Sequence, residues 1–313
     1  MINNIKNQKS KIKNSLVKIS GITLFWIIVS ALLLVVTRFG LLGILPPGGA
    51  NSFWFRLPTA CASVLSIIFA TLIIYKLSAN KKLVLFSGLF LAISPWHIEQ
   101  SRIYSPAMLG LTVSLGGVFA ATLTRKSFVR LLILVITGVM FYLVYPSVWI
   151  FNGIHFSLTI NEFLQNLFKL ISVDFLFYHN DSFWAGGFRT QGVLLVSYLP
   201  LLLPGLWYLL TNFKVSHIRL LLPFLIFWIL AASNPLFPDQ REFFLVIPYL
   251  AVATAYGAVV FLQEFESGKF IVKTMLIMFA VFFVYEQILF FHWYTVHYHN
   301  RIKNERIYEL EKF

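Results

Sequence analysis

Long apolar runs separated by short polar clusters set the rhythm of this chain. Nine runs stand out, near residues 20–38, 57–77, 83–96, 106–123, 131–151, 192–212, 220–234, 243–263 and 270–292. Several approach or exceed the ~20 apolar residues that carry a helix across a bilayer. Phe, Leu and Ile dominate, without the strict alternation of barrel strands. Backbone polar groups in hydrocarbon need internal partners. The pattern therefore predicts an all-α integral membrane protein with about nine transmembrane helices.

Composition agrees. The 313 residues are 58% hydrophobic and 12% charged, where a globular domain carries about 25% charged residues. The net charge of +13 comes from lysines and arginines that cluster beside the apolar runs. That placement reads as juxtamembrane charge rather than a nucleic-acid face, so no nucleic-acid partner is expected. Cys61 is the single cysteine, which excludes internal disulfides and Cys-based zinc sites.

Charge also orients the chain. Residues 1–19 form a basic tail; MINNIKNQKSKIKNSLVKIS holds five lysines and no acid before the first apolar run. That run is long and lacks a small-residue cleavage site, so it reads as a retained signal anchor. With the N-terminus inside, 15 of the 25 Lys and Arg residues fall on the cytoplasmic side, as the positive-inside bias requires. The membrane domain then covers 20–292, with 293–313 as a short outer tail. The expected location is the plasma membrane, crossed many times.

The longest outer loop, 152–191, carries a second period. In INEFLQNLFKLIS, Ile160, Phe163, Leu164, Leu167 and Ile171 recur at helical spacing, with Asn161, Gln165, Asn166, Lys169 and Ser172 opposite. This predicts an amphipathic helix, either lying in the membrane interface or packed on the bundle.

The polar stretch SPWHIEQSRIYSP, Ser94 to Pro106, raises a different question. The run before it offers only residues 83–96, about 21 Å of helix against a ~30 Å hydrocarbon core. The run at 220–234 is similarly short and leads into FPDQRE, Phe237 to Glu242. Polar, non-helical backbone at that depth needs protein or a water-filled cavity around it. A shared outward-facing cavity holding HIEQSR and FPDQRE is the functional expectation; an ordinary wet surface with snorkelling arginines is the plainer one. Guanidinium groups bind phosphate through forked, charge-assisted hydrogen bonds, and phosphate presented from a bilayer belongs to a lipid. His97, Tyr104, Trp184 and Arg189 are expected to line the cavity. Trp96 and Tyr198 stand at the same level, where aromatic rings stack on sugars or simply form the interfacial belt.

SPWHIEQSR resembles the motif after the third helix of the glycosyltransferase C superfamily, in the branch of protein O-mannosyltransferases and lipid A aminoarabinose transferases. FRLPTACASVLSIIFATLIIY (Phe55 to Tyr75) resembles that family's second helix, which opens on Arg-Leu-Pro. SVDFLFYHNDSFWAGGFRTQGVLLVSYLPLLLPGLW (Ser172 to Trp207) resembles a loop and helix of bacterial relatives, and REFFLVIPYLAVATAYG (Arg241 to Gly257) the family's Arg-Tyr…Pro…Ala-Gly helix. The resemblance implies an enzyme that takes a sugar from a polyprenyl-phosphate carrier and passes it, with inversion, to a lipid, glycan or protein on the outer face. Donor and membrane lipid are then its partners; no cofactor or metal is implied. Arg56, Arg102 and Arg241 match the family's phosphate-contacting arginines.

One departure stands out. Family members carry a catalytic Asp in a long first outer loop, yet Arg38 to Arg56 contains neither Asp nor Glu. Three explanations stay open. Another carboxylate serves as base, among Glu99, Asp174, Asp181 and Asp239; or the chain is a noncatalytic homologue or scaffold that binds lipid phosphate; or a partner subunit supplies the missing loop. A transporter of lipid-linked sugars is the rival from another class, which inverted repeats would favour.

Overall fold

The computed structural model describes residues 38, 53–78, 80–102, 104–144, 159–178, 192–211, 224–229, 231–233, 243–268 and 270–297. Among these, every regular element is a helix. Nine are α-helices of eight residues or more: α1 (Phe53–Ser78), α2 (Lys81–Ile93), α3 (Pro95–Arg102), α4 (Pro106–Leu123), α5 (Ser127–Val144), α6 (Ile160–Lys169), α7 (Leu199–Thr211), α8 (Ile247–Ser267) and α9 (Phe270–His292). Among the described residues, four segments are long and apolar enough to cross a membrane: Arg56–Ser78, Pro106–Leu123, Phe243–Ser267 and Phe270–Val296. This is the architecture of an α-helical membrane protein. The first apolar run lies outside the described residues except for Arg38.

Turn chemistry places the breaks. Asn80 caps α2, its Oδ1 accepting from the backbone N–H of Lys82 and Leu83 at 3.0 and 3.3 Å. Ser105 caps α4 by accepting from Met108 N–H at 3.3 Å, with Pro106 at the first helical position. The sharpest break is Ser94-Pro95. A residue before proline is pushed away from helical backbone, and Ser94 accordingly has ψ 124°. Pro95 then starts a new helix, since its missing N–H costs nothing in a first turn. SPWHIEQSR is therefore a separate short helix, which corrects the sequence expectation of irregular backbone there.

α1 packs between α2 and α4 and also contacts α3, while α8 packs against α2, α7 and α9. Small residues set the closest approaches, as in membrane bundles generally. A Cβ on Gly205 of α7 would overlap the Ala253 carbonyl, and one on Gly257 of α8 would overlap the Leu201 carbonyl. α7 and α8 therefore meet backbone to backbone. Thr112 Oγ1 donates to Ala62 O at 2.8 Å and ties α4 to α1.

The periphery is the inverse of a soluble protein. Phe128, Leu131, Val135 and Leu143 of α5 are exposed, as are Ile271, Met275, Met278 and Val281 of α9. Such a continuous apolar surface belongs against lipid. α6 forms as its period requires, closed by a reciprocal cap in which Thr159 Oγ1 accepts from Glu162 N–H and Glu162 Oε2 accepts from Thr159 N–H. Its apolar side is divided: Phe163 and Leu167 pack on the core, whereas Ile160, Leu164 and Phe168 stay exposed. Asn166 Nδ2 donates to Ala232 O at 3.1 Å and fixes the docking.

Two glycine substitutions separate packing from propensity. Gly257→Val, whose side chain collides with the Leu201 carbonyl, is expected to lose about 3 kcal/mol, the upper end of overpacking costs. Gly138→Ala, with nothing within 4 Å of the added methyl, is expected to gain up to about 1 kcal/mol through helix propensity. Unfolding midpoints in one detergent check both.

Candidate functional site

All eight side chains of α3 are buried, although five of them are polar: His97, Glu99, Gln100, Ser101 and Arg102. Its apolar members Trp96 and Ile98 join the core, and the ring of His97 stacks on Phe244 at 6.0 Å. Gln100 Oε1 accepts from Ser105 Oγ at 2.6 Å, which ties the exit of α3 to the cap of α4.

Arg38 is fully buried against this helix. Its Nη2 donates to Ala92 O at 2.7 Å and to His97 Nδ1 at 2.9 Å. Guanidinium has no acceptor, so His97 Nδ1 accepts and Nε2 carries the proton. Nε2–H then donates to Ser66 Oγ at 2.9 Å, and Ser66 donates onward to Ser63 O at 2.8 Å. A relay thus runs from Arg38 through His97 into α1. Burial, aided by the nearby Arg38 charge, holds His97 well below its ordinary pKa and keeps it neutral.

Tyr294 closes the cluster from the turn after α9. It is buried at 1% exposure, and the Arg102 guanidinium lies over its ring at 5.5 Å. Arg38, Arg56, Arg102 and Glu99 all stand within electrostatic reach of Tyr294. Arg56 comes from the first turn of α1 and is 2% exposed, Arg102 from the end of α3 at 4%, and Glu99 from its middle at 1%. Three guanidinium groups, a carboxylate, a phenol and a neutral imidazole therefore lie near one another in the interior.

Of the sequence-predicted residues, the fold brings together Arg56, His97, Glu99 and Arg102. Buried arginine replaces the snorkelling alternative for Arg102. Tyr104 stands apart at 52% exposure, and Asp174 is exposed in the π-helical turn Asp174–Tyr178. Tyr198 is buried between Phe90 and Phe283. Asp181, Trp184, Arg189, Asp239 and Arg241 lie outside the described residues, as does FPDQRE.

Sequence reasoning missed Arg38, Ser66 and Tyr294 as members of the site, and it missed Glu286. The Glu286 carboxylate accepts from the N–H groups of Val196 and Ser197 at 3.0 and 2.7 Å, capping the turn that leads into α7. Beside it, Gln287 Nε2 donates to Tyr198 Oη at 3.4 Å. The available signal was Glu286-Gln287 inside an otherwise apolar run, since ionisable residues at that depth are functional candidates by default.

The fold and site define an α-helical membrane protein with an arginine-rich polar centre. Comparison with protein-family models, curated proteins and solved structures finds no match to this chain.

His97 gives the cluster a pH signature. Its folded pKa lies below the unfolded value of about 6.5. The unfolded chain therefore takes up a proton that the folded chain refuses, and stability falls as pH drops below about 6.5. The expected loss is on the order of 1 kcal/mol per pH unit. His97→Gln should flatten the unfolding midpoint between pH 7.5 and 5.5, and an unchanged slope would place the titrating group elsewhere.

Proposed function

We propose that this chain is a multi-pass plasma-membrane protein of the glycosyltransferase C type that holds the phosphate of a polyprenyl-phosphate sugar at its arginine cluster. The observation that carries this reading is the convergence of Arg38, Arg56 and Arg102, all buried, around Tyr294. Guanidinium forks match phosphate oxygens and stabilise the charge that sugar transfer leaves on a departing phosphate. The resemblance of SPWHIEQSR and of the Arg-Leu-Pro start of α1 supports the same reading.

In that reaction an acceptor hydroxyl on a lipid, glycan or protein attacks the anomeric carbon. The sugar–phosphate bond breaks, polyprenyl phosphate leaves, and a carboxylate takes the hydroxyl proton. Glu99 is the carboxylate that the fold brings to the cluster among the described residues. Standing among guanidinium groups, it also serves as their counter-charge. With no acid between Arg38 and Arg56, the second reading is a homologue that binds lipid phosphate without transferring sugar, as a scaffold or with a partner subunit's base.

Native mass spectrometry of gently extracted protein tests the reading. A co-purifying polyprenyl phosphate that disappears in Arg56→Ala, Arg102→Ala would support it; absence of such a lipid from the wild type would overturn it. Glu99→Gln then separates the two roles. Loss of sugar transfer with the glycosylated lipid retained assigns Glu99 as base, and retained transfer assigns the base elsewhere.

The proposed topology has nine spans with the N-terminus inside, so that the arginine cluster opens outward and α6 lies in the outer interface. In a Cys61→Ser background, a membrane-impermeant maleimide should label Tyr104→Cys in intact cells and Asn80→Cys only after permeabilisation. The reverse pattern would invert the orientation.

A further inference from the structure

A second feature lies away from the arginine cluster. A groove of about 370 Å³ runs between α1, α4, α5 and α8, within the ~300–1,000 Å³ range of ligand pockets. Its length is apolar, lined by Ala70 and Ile73 of α1, Leu115 and Val118 of α4, and Val252 of α8. Its cations are confined to one end. There Lys76 of α1 and Arg130 of α5 join the lining beside Thr122. From Thr122 back to Leu115 the groove follows α4 for about 10 Å at helical rise. One polar, cationic end and one apolar stem describe the complement of an anionic amphiphile.

Arg130 is partly committed and partly open. Its Nη2 donates to Thr124 O at 3.0 Å, which holds the guanidinium over the end of α4. Its Nε is buried and meets no partner among the described residues. A bound oxyanion would supply that acceptor with the short charge-assisted geometry guanidinium favours. Further lysines and arginines ring the same end of the bundle, Lys81, Arg125 and Lys126 among them, and the field there favours negative charge.

We propose that this groove binds an anionic phospholipid, with one acyl chain along its apolar length and the headgroup phosphate on Lys76 and Arg130. The site is distinct from the arginine cluster. Arg56 and Lys76 are twenty residues apart on α1, about 30 Å at helical rise, the thickness of a hydrocarbon core. The two phosphate sites therefore face opposite leaflets, and this one stands whether or not the cluster binds a lipid-linked sugar.

The test uses the full chain in neutral detergent. It is offered equal concentrations of phosphatidylglycerol and phosphatidylcholine with identical acyl chains, and bound lipid is read by native mass spectrometry. The expected preference for phosphatidylglycerol is about thirtyfold, from two juxtamembrane cations. Lys76→Gln, Arg130→Gln should abolish the preference. Lys81→Gln, Lys126→Gln, charges of the same rim outside the groove lining, should leave it intact, as should Arg56→Ala, Arg102→Ala. Leu134→Trp, at a partly exposed lining position, should lower occupancy by both lipids without altering helix packing. No preference in the wild type would overturn the proposal. So would a preference that survives loss of Lys76 and Arg130, or one that falls equally when rim or cluster charges are removed.

Discussion

A helix that ends inside apolar surroundings leaves carbonyl or amide groups that no water reaches, and each must find a partner. This constraint explains where two charges of the molecule sit, Arg38 and Glu286. α2 stops at Ile93 because Ser94-Pro95 cannot continue it, and Ala92 O then accepts from Arg38. A cation at a helix C-terminus also meets the favourable end of the helix dipole. The mirror case lies at the entrance to α7, where Glu286 accepts from Val196 and Ser197. A carboxylate there satisfies two donors and again suits the dipole. Arg38 and Glu286 are thus both placed by the chemistry of helix ends.

Once Arg38 is fixed in that role, the polar centre follows by hydrogen-bond bookkeeping. The guanidinium has a second donor to place, and His97 Nδ1 takes it. That contact sets the tautomer, the tautomer makes Nε2 a donor, and Ser66 accepts. Each step is forced by the inventory of donors and acceptors. The result immobilises α3 against α1 and aims its remaining polar groups, Glu99 and Arg102, toward Arg56 and Tyr294. A polar centre fixed in this way meets its ordering costs on folding rather than on any later binding.

Much of this was legible in the sequence, but unevenly. The helical membrane class followed from the length and composition of the runs, and α4 occupies the predicted residues 106–123. The polarity of SPWHIEQSR between apolar runs marked α3, because burying such residues demands a reason. Arg38, Ser66 and Tyr294 carried no comparable mark. Their partners in the polar cluster are 31 residues or more away in sequence, and a serine or tyrosine in an apolar helix is ordinary. Tyr294 joins the site through helical phase: Glu286, Phe290 and Tyr294 share one face of α9 and the turn beyond it, and that face alone packs inward. Phase can be read from a sequence; which neighbour it meets cannot.

The position of the cluster has a simple geometric cause. α1 has 26 residues and α2 has 13, so along the bundle α2 falls short of α1 by about 20 Å. An apolar helix of full length would close that space. Here Pro95 ends the apolar run early, and α3 occupies the vacated volume, with Arg38 and Tyr294 converging on it from other parts of the chain. Shortening one helix of an otherwise tight bundle thus makes room for a buried polar cluster. The close α7–α8 packing matters for the same reason. With Gly205 and Gly257 admitting backbone contact, α8 is held in place and the 3-10 turn Phe243–Val246 that leads into it stacks Phe244 on the His97 ring, while α5 and α9 remain open to lipid.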